Sequence, residues 1–154
     1  MESEPTRMCA LLVGLPDVVV IGVVDLPGAG LVVHVEQLGV RPSCPGCGRL
    51  AVVKDRRDVL LVDLPVFGRP TRLAWRKHRW CCPVESCPVR SWTGEDPRIA
   101  APRLAMTDRA GRWVTEQVGR WGRTVNEVAV ELDCDSQTVK APAMGGRFSF
   151  GWSD

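Results

Sequence analysis

Two cysteine pairs hold the most specific chemistry in this chain: Cys44-Pro-Gly-Cys47-Gly and Cys82-Pro-Val-Glu-Ser-Cys87-Pro, with thirty-four residues between them. A pair on a tight turn aims two thiolates at one point, and two such pairs complete the tetrahedral four-sulfur set that structural Zn2+ takes. Pro45 and Gly46 let the first turn curl, and Gly48 frees the next position for a positive φ. The second pair encloses four residues rather than two, a wider loop that still reaches one ion. Cys44, Cys47, Cys82 and Cys87 are therefore the expected zinc ligands, in a structural role. A disulfide framework fits less well, because seven cysteines leave one over and residues 1–6 lack the basic start of an export signal. A redox pair at Cys44 and Cys47 would leave Cys82 and Cys87 unexplained. Cys81 points away from Cys82 in an extended run, and Cys9 and Cys134 read as small apolar residues. His78 is expected on a solvent or DNA face rather than on the metal.

The second set of chemically capable residues is basic. The formal net charge of +2 hides an asymmetry: residues 1–40 hold one basic residue against five acidic, and the rest of the chain nineteen against thirteen. Over residues 69–90 six basic side chains meet only Glu85. A local excess of this kind is the footprint of a polyanion partner, although a solvated strand face has the same composition. Arg72, Arg76, Lys77 and Arg79 are the candidate phosphate contacts. Strand alternation sets Arg72, Arg76 and His78 on one face and Lys77 and Arg79 on the other, so one groove cannot touch all four.

The elements that must position these groups are short. Composition is globular, 45% hydrophobic and 25% charged, and 154 residues allow one ordinary domain or two very small ones. The apolar run over residues 8–24 is broken by Pro16 and Asp17 and is too short to span a bilayer. A soluble, cytoplasmic, nucleoid-associated chain with reduced thiols is expected. The pattern predicts an α+β fold in four parts. Residues 1–41 form a leader, in which Val18 to Val24 and Leu31 to Glu36 make a β-hairpin. Residues 42–97 form a small four-cysteine, zinc-ribbon-like β domain, with strands from Val59 to Asp63 and Thr71 to Trp80 around a turn at Phe67-Gly-Arg-Pro70. Its own apolar residues are too few to hold it, so zinc clamps the open ends. Trp75, Trp80 and Trp92 are expected to cover the sheet's apolar side.

Residues 103–141 change period. Ala110, Trp113, Val114, Val118 and Trp121 recur at helical spacing, with Thr107 as cap and Gly122 as stop. Thr124 and Glu127 make a capping box for a helix carrying Val125, Val128, Ala129 and Leu132. Asp133 stands where a left-handed turn residue is needed, Ser136 is placed to cap the next helix, and Val139 faces inward. This is the register of a helix-turn-helix, whose second helix enters the major groove. Gln137, Thr138 and Lys140 are the candidate base-reading residues, with Ser136 beside them. Pro142 is expected to end that helix near Ala141 and leave residues 142–154 as an irregular tail.

In this order, Cys44-Pro-Gly-Cys47, the basic run Trp75-Arg-Lys-His-Arg-Trp80, Cys82 to Pro88 and Trp92-Thr-Gly-Glu95 resemble the zinc-binding N-terminus of ISL-three family insertion-sequence transposases. The likeness extends from residue 10 to about 141. It implies a β-rich leader, a zinc domain, a helix-turn-helix, and then an RNase H-like DDE domain that performs strand transfer. It further implies double-stranded DNA as partner, specifically the element's terminal inverted repeats, and is compatible with self-association. No stretch here has the length of that catalytic domain, so a truncated, non-catalytic form is expected. A zinc-ribbon interaction module and a small DNA-binding regulator are the alternatives.

Overall fold

The computed structural model describes residues 5–144 of the 154-residue chain. Two antiparallel hairpins share one sheet. β1 (Val18–Leu26) and β2 (Gly30–Gln37) form the expected leader hairpin. β3 (Val52–Val66) and β4 (Arg69–Cys81) form a longer one, turning at Phe67 and at Gly68, whose φ is +75°. β2 runs parallel to β4 from Leu31 opposite Thr71 to Glu36 opposite Arg76, giving the order β1-β2-β4-β3. β5 (Ser91–Thr93) pairs with the end of β4. The entry of β2 is sterically fixed: a Cβ on Gly30 (φ +96°) would lie 2.1 Å from the Pro70 carbonyl oxygen.

The leader and the zinc segment are therefore not set apart. Val18, Val20, Val33 and Val35 from the first hairpin pack with Leu61, Leu73 and Trp75 from the second, and Ile99 and Ala100 close over them. The shortage of apolar residues in the zinc segment is met by this shared core. Trp75 and Trp80 are both buried, as expected of residues that cover a sheet. Asp96 fixes the connector after β5. It accepts from Gln37 Nε2 at 3.1 Å and from the Arg98 guanidinium at 2.8 Å, while Arg98 also donates to Asp17 at 2.8 Å. The Arg98 hydrogen bond outweighs burial and holds the Asp96 carboxyl below its ordinary pKa.

A helix absent from the sequence reading precedes the sheet. α1 (Pro5–Val13) lays Cys9 and Val13 on the core and leaves Met8, Leu11 and Leu12 exposed. Its apolar residues face both ways, so no one-sided period marked it. Gly14, at φ +63°, closes it with an N–H to the Ala10 carbonyl.

α2 (Asp108–Gly119), α3 (Val125–Leu132) and α4 (Ser136–Met144) form a second cluster. Thr107 caps α2 as expected, but α2 stops at an Arg120 cap, two residues before Gly122. The Thr124–Glu127 capping box is present, and Asp133 takes the left-handed conformation (φ 52°, ψ 50°). Two expectations for α4 are corrected. Asp135, not Ser136, caps it, its Oδ1 accepting from the Gln137 and Thr138 amides at 2.8 and 3.0 Å. Pro142 does not end it, and α4 runs to Met144. Proline removes the N–H that would meet the Thr138 carbonyl, but its ring is buried and Thr115 Oγ1 donates to the Pro142 carbonyl at 3.4 Å. The rest of the expected tail lies outside the described residues.

The helices dock on the middle of β3. Val62 joins Met106, Ala110, Val114, Val128, Ala129, Leu132 and Val139 in one apolar cluster. Beside it the buried Asp63 carboxylate accepts from Arg109 Nε (2.9 Å) and Nη2 (2.6 Å), Thr107 Oγ1 (2.8 Å) and the Leu64 amide (2.9 Å). No helix among the described residues is long and apolar enough to cross a membrane.

Candidate metal centre and nucleic-acid interface

The β3–β4 ladder builds the metal centre by bringing its open ends together. Val52 lies opposite Cys81, so the turn before β3 and the turn after β4 face each other. In the first turn Cys44 N–H donates to the Arg49 carbonyl (2.7 Å), and Gly48 N–H, at φ +74°, to the Cys44 carbonyl (2.9 Å). Gly46 N–H lies 3.4 Å from Cys44 Sγ. In the second turn Cys82 N–H donates to the Arg90 carbonyl and Cys87 N–H to the Val84 carbonyl, both at 3.1 Å. Gly46 is required by contact as well as by curl: its Cβ would lie 2.9 Å from Val89 Cγ2 and 3.2 Å from Cys87 Sγ.

The four sulfurs converge. Cys44 Sγ is 3.7 Å from Cys87 Sγ, Cys47 Sγ is 3.5 Å from Cys82 Sγ, and all four lie within 4.8 Å of one another. A tetrahedral ion with Zn–S bonds of about 2.3 Å needs sulfurs about 3.8 Å apart, so the cage fits the ion. The protons are unequally shared. Burial opposes ionisation of Cys44, but the Cys47 and Gly46 amides and the neighbouring thiols outweigh it and bring its pKa down to about 7. The Val84 amide favours the Cys82 thiolate, but burial and the surrounding thiols push its pKa up to about 12, and the Cys87 thiol is also raised. A cation removes this conflict by replacing the shared protons.

The other candidates stay off the metal. Cys81 is half-buried outside the four-sulfur group, and Cys9 and Cys134 lie half-buried at the rims of the two apolar clusters. His78 Nε2 sits 3.2 Å from Glu36 Oε1, with its ring 5.3 Å from that of Trp80, half-buried rather than on an open face.

Strand alternation on β4 holds, but each of its four candidate phosphate contacts has a partner within the protein. Arg72 Nη1 donates to the Leu132 carbonyl at 3.0 Å and Nη2 to that of Asp133, at the C-terminal end of α3. Arg76 pairs with Asp58 and Arg79 with Asp55, both at 3.1 Å. Lys77 is buried, 2.6 Å from Glu95 and 4.3 Å above the Trp75 ring. The acidic residues of β3 stand opposite the cations of β4, a pairing that a count along one strand does not show. On α4, Gln137 and Lys140 are exposed, Ser136 and Thr138 partly so.

Several cations outside the candidate contacts are exposed and without an ion pair or side-chain hydrogen bond among the described residues: Arg41, Arg49, Arg57, Arg90 and Arg103. Arg49 and Arg90 occupy equivalent places, each offering its carbonyl to the first cysteine of a metal turn. Their position just beyond each cysteine pair was the available signal.

Residues 41–87 match the family model described as the zinc-finger of transposase IS204/IS1001/IS1096/IS1165. The match contains all four cysteines and the β3–β4 ribbon between them, and stops short of the helices. No curated protein and no solved structure matches the chain. The match and the sulfur geometry together assign a structural Zn2+ to Cys44, Cys47, Cys82 and Cys87.

Proposed function

We propose that this chain is a DNA-binding part of an insertion-sequence transposase and recognises the terminal inverted repeats of its element. The observation that carries the reading is the transposase zinc-finger match over residues 41–87, centred on a cage of four converging thiols. The helices support it. α3, a left-handed Asp133 and an Asp135-capped α4 follow one another as in a helix-turn-helix. On α4, Gln137, Lys140, Ala141 and Met144 are exposed at the spacing of one helical face. With Pro142 inside the helix, α4 is nine residues long, enough to present that face to a groove. Gln137 and Lys140 are the base-reading side chains in this proposal, and Ser136 and Thr138 approach the backbone. Of the β4 set, Arg76 and Arg79 retain exposure for phosphate contact, whereas Arg72 and Lys77 hold the fold. The part proposed for residues 5–144 is binding to DNA.

Fluorescence anisotropy of the zinc-loaded chain on duplexes with and without the element's end sequence tests the proposal. Preference for the end sequence, lost on chelation or in Gln137→Ala/Lys140→Ala, is the expected result. Equal binding to both duplexes would remove sequence recognition. A protein-interaction module is the second reading, favoured by Leu11 and Leu12 of α1, 72% and 77% exposed beside the apolar edge strand β1.

A further inference from the structure

A groove of about 440 Å3 lies between the β3–β4 ribbon and the connector leading to α2. It is lined by none of the cysteines and by no residue of α4. Its cations come from three elements: Arg57 on β3, Lys77 on β4 and Arg103 in the connector, against one carboxylate, Glu95. Arg57 and Arg103 are exposed and have no partner among the described residues. Lys77 is fixed, its Nζ held between Glu95 and the Trp75 ring. Three cations and one anion leave a net charge of +2 at the groove, with apolar walls that include Leu61.

Two independent features point the same way. Trp75, which lines the groove, is fully buried, and its Nε1–H finds no hydrogen-bond acceptor among the described residues. Buried donors without acceptors are uncommon in folded proteins and mark places where a ligand or water oxygen belongs. Arg103 holds φ at +67°, a left-handed conformation that a non-glycine residue adopts at a cost. Outliers of this kind cluster at ligand-binding sites, although turns such as those at Phe67 and Asp133 use them too. Here the outlier holds a guanidinium at the groove's edge, where glycine would relieve the backbone and lose the charge.

We propose that this groove binds a phosphate group, with Arg57 and Arg103 as its two unpaired donors and the Lys77–Glu95 pair as a fixed polar wall. The chemistry is shared by a DNA phosphodiester and by a free phosphate or phosphate monoester. If DNA is the source, the site deepens the proposed function by adding a backbone contact distant in sequence from α4.

The test uses the full zinc-loaded chain, Arg57→Gln, Arg103→Gly and the double variant, with inorganic phosphate and a duplex as probes. Arg103→Gly is chosen because it relieves the positive φ, so its melting temperature is expected to hold or rise while binding weakens. Inorganic phosphate is expected to shift the Trp75 indole N–H resonance saturably, and each substitution to weaken that binding about tenfold. If DNA supplies the phosphate, the salt dependence of duplex affinity also falls by about 0.9 for each cation removed. An unchanged salt slope with lost inorganic-phosphate binding assigns the groove to a small phosphate ligand. Wild-type affinity of the double variant for both probes overturns the site. A chain that binds no duplex but still saturates with phosphate overturns only the DNA reading.

Discussion

Replacing Arg72 by methionine separates two accounts of the basic strand. Along the sequence Arg72 belongs with the phosphate contacts; in the fold its guanidinium closes the C-terminus of α3 through the Leu132 and Asp133 carbonyls, with a further donation to Thr71 at 3.3 Å. α3 has no basic residue of its own in its last turn, so Arg72 supplies the cation that its dipole favours. A hydrogen bond involving a charged group contributes about 1.5–3 kcal/mol net, and a cation in a partly buried helix-end geometry up to about 2 kcal/mol. These overlap, and Arg72 keeps some solvent access, so about 2–3 kcal/mol is the expected loss. Methionine retains much of the apolar stem and limits the change to the lost charge and donors. At about 2–4 °C per kcal/mol for a chain of this size, the melting temperature should fall by about 8 °C. Circular dichroism measures that fall, and anisotropy at low temperature, where the variant stays folded, measures the salt dependence of duplex binding. The expected pair of results is a clear fall in melting temperature with an unchanged salt slope. A slope reduced by about 0.9, with stability within about 0.5 kcal/mol of wild type, would refute the capping argument and return Arg72 to the phosphate contacts.

Asp63→Asn should cost about 3 kcal/mol, since it leaves Arg109 and Thr107 facing a neutral amide in a site where the carboxylate is 2% exposed. Urea denaturation measures it, and a loss below about 1 kcal/mol would mean that the helices are anchored by Val62 and its apolar neighbours alone. Cys87→Ser should lower bound zinc below one ion per chain. Hydrogen exchange should then rise first at Val52 to Asp55 and at Arg79 to Cys81, because the helices dock further along the ribbon; equal loss of protection in α2–α4 would contradict this. Asp96, held below its ordinary pKa mainly by Arg98, adds stability that is present above the unfolded carboxyl value of about 3.9 and is lost as pH falls through the lower folded value. The Asp96→Asn variant should therefore approach wild-type stability below about pH 4 and fall short of it above, and a constant gap across the acid range would count against the coupling.

The features legible in the sequence were those set by local chemistry. Cysteine spacing identified the sulfur cage, Thr124 and Glu127 announced a capping box, and Asp133 could be read as a left-handed turn because those preferences act within a few residues. What was not legible depends on contacts distant in sequence. The parallel pairing of β2 with β4 makes one sheet of the two hairpins and requires Gly30 to lie against Pro70, a constraint visible only once the strands are side by side. Asp135 displaced Ser136 as a cap because both residue types suit the position and the chain's approach decides between them. Pro142 was read as a stop because proline removes one helix hydrogen bond, but the loss of a single bond does not end α4, where the ring finds a buried site.

The charge pattern shows how the fold reassigns a count. Of the six basic residues over 69–90, Arg69 pairs with Asp25, Arg76 and Arg79 with aspartates of β3, Lys77 with Glu95, and Arg72 with helix carbonyls. Only Arg90 remains without a partner among the described residues. A polyanion responds to charge that the protein has not already neutralised, since each paired cation must exchange one partner for another before it gains. Among the described residues the cations left over are Arg41, Arg49 and Arg90 around the metal turns, Arg57 and Arg103 at the groove, Lys140 on α4, Lys54 on β3 and Arg7 on α1. The β3–β4 ribbon links the metal turns at its open ends to the helices, with Val62 and Arg72 as docking points further along. Six of its eight strand cations already have partners within the protein, so the placement of the remaining cations, rather than the ribbon's own basic count, sets what a partner meets.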